Sequence, residues 1–222
     1  MRLALANSDV KQRQDLLVRW EALWQENAAA PPSSTIAKLV AAWSEPNRHY
    51  HTLQHLGECL ANFETLRHLP EHPLDVQLAL WFHDAIYDVT RHDNEARSAE
   101  WARQEILAAG LSAATADSVA TLIMATCHNA EPVGVDAEVL VDIDLWILGA
   151  PPDRFEEYER QVRKEYAHVP DEAFRLGRLA ILQQFQARPR LFNTEPFFTR
   201  YEPQARSNLQ HSITKLLSSK VT

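Results

Sequence analysis

Glycine is scarce in this chain, five in 222 residues, and cysteine scarcer, with two. Runs of β-branched residues at period two are almost absent, so a sheet protein has little support here. Cys59 and Cys127 lie in separate segments and in no metal-ligand spacing. So few cysteines exclude a disulfide framework and fit a reducing compartment, with both read as small buried hydrophobes. No stretch approaches the about 18 apolar residues of a membrane span. The N-terminal MRLALANSDVKQRQDLL turns polar after a few apolar residues, too soon for the core of a signal peptide. These absences predict a cytoplasmic protein with no membrane partner. There is no G-x-x-x-x-G-K loop and no G-x-G-x-x-G, hence no visible ATP or dinucleotide cradle, and no G-x-S-x-G elbow. Basic charge is also short, 22 Lys and Arg against 30 Asp and Glu, for a net −8. That argues against long nucleic acid, which needs a basic face. A small phosphate-bearing ligand stays compatible, because a bound divalent ion reverses the local field.

What is present is helical. Apolar residues make up 45% and charged residues 23%, the balance of a soluble globular chain long enough to bury a core. Apolar positions recur at three and four, as in Leu53, Leu56, Leu60, Phe63 and Leu66. The same period runs through 9–26, 74–86, 96–109, 113–127, 136–148, 153–167, 171–187 and 203–217. Pro31-Pro32 with Ser33-Ser34 predicts a turn and an N-cap, Pro70 and Pro73 separate two helices, and Gly110 ends another. Pro151-Pro152 and Pro170-Asp171 each start a helix. The expectation is an all-α protein of about nine helices in one domain over 1–222. Its N-terminal helices occupy 1–45, its chemistry-bearing core 46–150, and its C-terminal helices 151–222. Trp20, Leu23 and Trp24 either pack inside or form a homodimer face. The aromatic stretch 192–201 is read as core packing.

Ten histidines are many, and their placement matters more than their number. His49, His51 and His55 fall within seven residues, and His51 and His55, four apart, share a face if both are helical. Leu80-Trp81-Phe82-His83-Asp84 puts a His-Asp pair just after an apolar run. VDIDLWIL places Asp142 and Asp144 inside another. Imidazole and carboxylate together suit Mn, Fe, Co, Ni or Zn, whereas carboxylate and water alone suit Mg or Ca. Aspartates in apolar stretches are costly to bury unpaired, and coordinating a metal offsets that cost. Arg48, Arg163, Lys164 and Arg178 could meet phosphate oxygens.

The ordered set Tyr50-His51-x-x-x-His55-Leu56, Phe82-His83-Asp84-Ala85-Ile86-Tyr87-Asp88, Asn94-Glu95-x-x-Ser98-Ala99 and Asp142-x-Asp144-Leu145 resembles the HD superfamily of metal-dependent phosphohydrolases. It is most similar to a subgroup of uncharacterised bacterial predicted HD hydrolases, from about residue 40 to residue 210. The resemblance implies an HD-type helical domain with His55, His83, Asp84 and one of Asp142 or Asp144 as metal ligands. Asp144 is favoured, because an aspartate followed by a leucine-rich turn is the ligand in the HD pattern. The two aspartates lie about 200° apart on a helix and cannot both face one ion. The resemblance further implies His51 as general acid and Asp88 as the residue that orients the attacking water. Arg48, Asn94, Glu95, Ser98 and His128 are candidate substrate contacts, with His128 also a candidate for a second metal.

The activity implied is hydrolysis of a phosphate ester or anhydride, in a nucleotide or other small phosphorylated molecule, by a hydroxide formed on a divalent transition metal, with Mg as an alternative ion. Two other readings stay open: an HD-type di-iron oxygenase, which needs His51 or His128 as further ligands, and a non-catalytic metal- or nucleotide-binding regulator.

Overall fold

A computed structural model describes residues 2–27 and 29–218, with side chains from residue 10 onward. Among the described residues there are ten α-helices, one 3₁₀ turn and no strand. They are α1 (Arg2–Glu26), α2 (Thr35–Ala42), α3 (Leu53–Leu66), α4 (Pro73–Phe82), α5 (Asn94–Ala108), α6 (Ala113–Ala125), α7 (Val135–Asp144), α8 (Pro152–Glu165), α9 (Asp171–Ala187) and α10 (Glu195–Ser218). The 3₁₀ turn, Leu145–Gly149, follows α7 directly. No described helix is long and apolar enough to cross a membrane. The chain divides into two compact units, residues 1–140 and 141–222, and the division falls inside α7.

The first unit is built around α4. Pro73 opens this helix at a position where a missing N–H costs nothing. Every residue from Asp75 to Phe82 is buried, and α3, α5 and α6 all pack against the helix. Its last five residues, Leu78 to Phe82, are all apolar, which suits a helix enclosed all round. Trp20 of α1 meets the Trp81 ring edge-on at 5.0 Å, and Trp24 lies 5.4 Å from Trp20. Trp20, Leu23 and Trp24 are therefore core residues. On the far side of α2, the Trp43 indole donates to the Trp81 carbonyl at 3.1 Å, tying α2 to the end of α4.

Helix ends follow the local chemistry closely. After α5, Gly110 has φ +82°, its N–H bonds the Leu107 carbonyl, and Leu111 N–H bonds Ile106 at 3.2 Å. This is a Schellman ending, which needs the left-handed residue that glycine supplies. Ser34 sits at the N-cap of α2 as expected, but its hydroxyl makes no capping bond. The sequence period carried the fourth helix to residue 86, yet α4 stops at Phe82. The chain beyond is held instead by side chains of α5. Asn94 pairs with the backbone N–H and C=O of Asp88, and Ser98 Oγ accepts from Ile86 N–H at 3.0 Å.

In the second unit α10 starts eight residues before the expected 203, and Pro203 lies inside it. An internal proline costs a helix about 3 kcal/mol. Phe197, Ala205 and Leu209 are almost fully buried along this helix, and their burial offsets that cost. Of the aromatic stretch 192–201, Phe192 and Phe197 are core, as expected, and both make ring contact with the part-exposed Tyr201. α10 lies so close to the 3₁₀ turn that a Cβ at Gly149 would sit 2.7 Å from Tyr201 Cβ and 2.9 Å from its carbonyl oxygen. Gly149→Ala must push backbone against backbone. It is expected to lower stability by about 1–3 kcal/mol, read from urea unfolding.

Candidate metal centre

Thr52 is extended, with φ −119° and ψ −178°, and its hydroxyl accepts from Gln54 N–H at 3.3 Å. That cap starts α3 at Leu53, which puts His55 in the first turn and leaves His51 outside the helix. The expectation that His51 and His55 share a helical face is corrected accordingly. His83 is the C-cap of α4, its N–H bonded to Ala79 O at 2.8 Å. Asp84 follows in the loop.

These elements converge. His55 Nε2 and His83 Nε2 stand 3.2 Å apart. Asp84 Oδ2 is 3.1 Å from His83 Nε2, 3.8 Å from His55 Nε2 and 4.0 Å from His51 Nε2. Neighbouring ligand atoms around an ion at about 2.1 Å are themselves about 3.0–3.4 Å apart, as the His55–His83 and His83–Asp84 spacings are. His83 Nδ1 lies 2.9 Å from the Leu80 carbonyl, which accepts its N–H and leaves the Nε2 lone pair directed into the cluster. A carboxylate oxygen 3.1 Å from this nitrogen calls for a positive charge between them, a proton or a metal ion. A divalent ion is one such charge.

The walls are aromatic. The Trp43 ring lies 6.1 Å from the His55 ring and 5.5 Å from that of His83, while Tyr50 lies 4.7 Å from His55. His55 and His83 are 2% and 1% exposed, which fixes both rings by packing. His51 is more open and stacks on Tyr87, with centroids 4.0 Å apart. Cys59, 1% exposed and one turn beyond His55, belongs to the same cluster. Donor atoms of His55, Cys59 and His83 all lie within 4.8 Å of one another, and this group could hold a metal ion.

The remaining sequence candidates have mixed placements. Arg48 is 4% exposed, and its guanidinium donates to the carbonyls of Asp84 at 2.5 Å and Ala85 at 3.0 Å and to Glu45 at 2.9 Å. It lies over the rings of Trp43 and Tyr87. The residue thus clamps the loop that carries Asp84, with its donors turned to protein. Asn94 and Ser98 hold the same loop from α5. Asp88 is not one helical turn beyond Asp84, because no helix continues there. Its Oδ1 accepts from Thr90 N–H at 2.9 Å and from Thr90 Oγ1 at 2.7 Å, and these bonds hold the carboxyl below its ordinary range. Glu95 lies beside Cys127, where burial first and this carboxylate second push the thiol up. His128 follows α6 with φ 53°, a left-handed conformation unusual for a side-chain-bearing residue.

Asp142 and Asp144 differ sharply within the second unit. Asp142 is 0% exposed and accepts four bonds, from the N–H and Nδ2 of Asn193 and the N–H and Oγ1 of Thr194, at 2.6–3.0 Å. Burial pushes its carboxyl up while these four donors pull it down. It is the anchor of the segment leading into α10 and is not exposed. Asp144, the last residue of α7, is half-buried. Of the other basic candidates, Arg178 is buried against Glu159 and Arg163 bonds Asp171 at 2.6 Å.

Scans against protein-family models, curated proteins and solved structures return no match. Cysteine spacing alone does not mark Cys59 as part of this group. Its signal was there: in His55-x-x-x-Cys59, four residues place imidazole and thiol on one face of α3.

Proposed function

We propose that this chain is a metal-dependent phosphohydrolase of the HD type, acting in the cytoplasm on a nucleotide or another small phosphorylated molecule. The observation that carries the reading is the approach of His55 Nε2, His83 Nε2 and Asp84 Oδ2 to ligand-shell distances in a buried, aromatic-walled cluster. Asp142 is set aside as a ligand in this reading, because its two oxygens already receive four donors from Asn193 and Thr194. When bound, a divalent transition metal such as Mn²⁺ or Fe²⁺ supplies a Lewis acid for the phosphoryl oxygens and a water more acidic than bulk water.

The chain's own groups do the rest. His83 keeps its lone pair directed inward because Leu80 O holds the opposite ring proton. Arg48 fixes the Asp84 backbone and so the direction of its carboxylate. His51, stacked on Tyr87 and more open than His55, holds a proton near the carboxylate and delivers it to the departing oxygen. No step is assigned to Asp88, whose Oδ1 closes a turn with Thr90.

The test is a hydrolysis screen of purified full-length protein. It offers nucleotides, dinucleotides and generic phosphodiesters with Mn²⁺, Co²⁺, Ni²⁺, Fe²⁺ or Mg²⁺ added singly. Turnover that needs an added ion and stops with a chelator is expected. A verified bound ion with no turnover of any member contradicts the hydrolase reading.

A further inference from the structure

We propose that Cys59 is a further ligand of this centre and that its sulfur biases the site towards thiophilic ions, Zn²⁺, Co²⁺ or Cd²⁺, over Mn²⁺ and Mg²⁺. The inference rests on the metal centre proposed above and adds to it the identity of the ions it prefers. Cys59 lies one turn after His55 on α3, and helical side chains lean towards the N-terminus, so its thiol covers the level of the His55 ring. Sγ is 3.7 Å from both ring nitrogens of His55. Together with His83 it falls inside a sphere in which no two donor atoms are more than 4.8 Å apart. Adjacent sulfur and nitrogen ligands of one tetrahedral ion, at about 2.3 Å and about 2.1 Å, are separated by about 3.6 Å, so little movement closes the shell.

A methyl-sized hydrophobe would fill the same space, and the chemistry is what separates the two roles. Thiolate is a soft donor that favours Zn²⁺, Co²⁺ and Cd²⁺, whereas Mn²⁺ and Mg²⁺ favour oxygen. On binding, the Cys59 S–H proton leaves to solvent and a sulfur–metal bond takes its place. Cys127, at the end of α6 beside Glu95, is outside the cluster and serves as the internal control.

The experiment loads the full-length protein with Co²⁺ and records its absorption. A near-ultraviolet thiolate-to-cobalt charge-transfer band is expected in the wild type and in Cys127→Ser. It should vanish in Cys59→Ser while the visible cobalt bands remain, because the imidazoles and carboxylates still hold the ion. Competition binding should show the preference for Zn²⁺ over Mn²⁺ falling by about tenfold or more in Cys59→Ser. If that variant fails to fold, Cys59→Ala and the wild-type band decide. Visible cobalt bands without charge transfer in the wild type, or a band surviving in Cys59→Ser, overturns the inference and leaves the proposed hydrolase standing. Absence of any cobalt binding overturns both.

Discussion

Asp84→Ala is expected to cut metal-dependent turnover by at least about a hundredfold while the protein stays folded. Asp84 Oδ2 lies 3.1 Å from His83 Nε2, and its loss removes the negative charge that would balance an ion against two neutral imidazoles. The side chain is 15% exposed at the edge of the site, so little apolar packing depends on it. The Arg48 bond runs to the Asp84 backbone carbonyl and survives the substitution. Without metal the variant should stay within about 1 kcal/mol of the wild type, because the side chain is partly exposed and packs little apolar surface. Turnover and urea unfolding of the same preparation separate the two effects. A variant that loses activity because it unfolds would refute this account of Asp84.

Asp142→Ala should do the reverse, costing about 3–5 kcal/mol of stability in urea unfolding. The carboxylate is fully buried and receives four donors. Its removal strands the N–H groups of Asn193 and Thr194, and each buried donor left without a partner costs about 1–3 kcal/mol. Asp142→Asn is no remedy, because an amide presents donors of its own to a ring of donors. A loss below about 1 kcal/mol would mean that the segment finds other acceptors. The contrast between the two aspartates, one expected to affect activity and the other folding, separates a candidate ligand from a structural anchor.

Much of this was legible in the sequence. The 3.6-residue period and the prolines at 73, 152 and 170 located most helices, and Gly110 marked an ending that the backbone requires. Errors arose where tertiary contacts override local signals. Nothing local ends α4 at Phe82, because the polar hooks that hold the next segment, Asn94 and Ser98, lie on another helix. Pro203 reads as a start, yet burial of Phe197 and Leu209 carries α10 through it. The likeness of residue types singled out His55, His83 and Asp84, which the fold brings within 4 Å of one another. It could not tell that Arg48, a basic residue in an acidic chain, spends its donors on carbonyls 36 and 37 residues away. Cys59 was missed because cysteine spacing was compared with cysteine, whereas its partner here is a histidine one turn back.

The most direct test of the central claim is metal content. Full-length protein dialysed against Mn²⁺, Zn²⁺ or Co²⁺ and then freed of loose ion should retain at least one ion per chain by elemental analysis. A His83→Ala variant of matched fold should retain none. Wild-type protein that comes through dialysis without metal, or a variant that binds as much as the wild type, would contradict the assignment of His55, His83 and Asp84 as a metal centre.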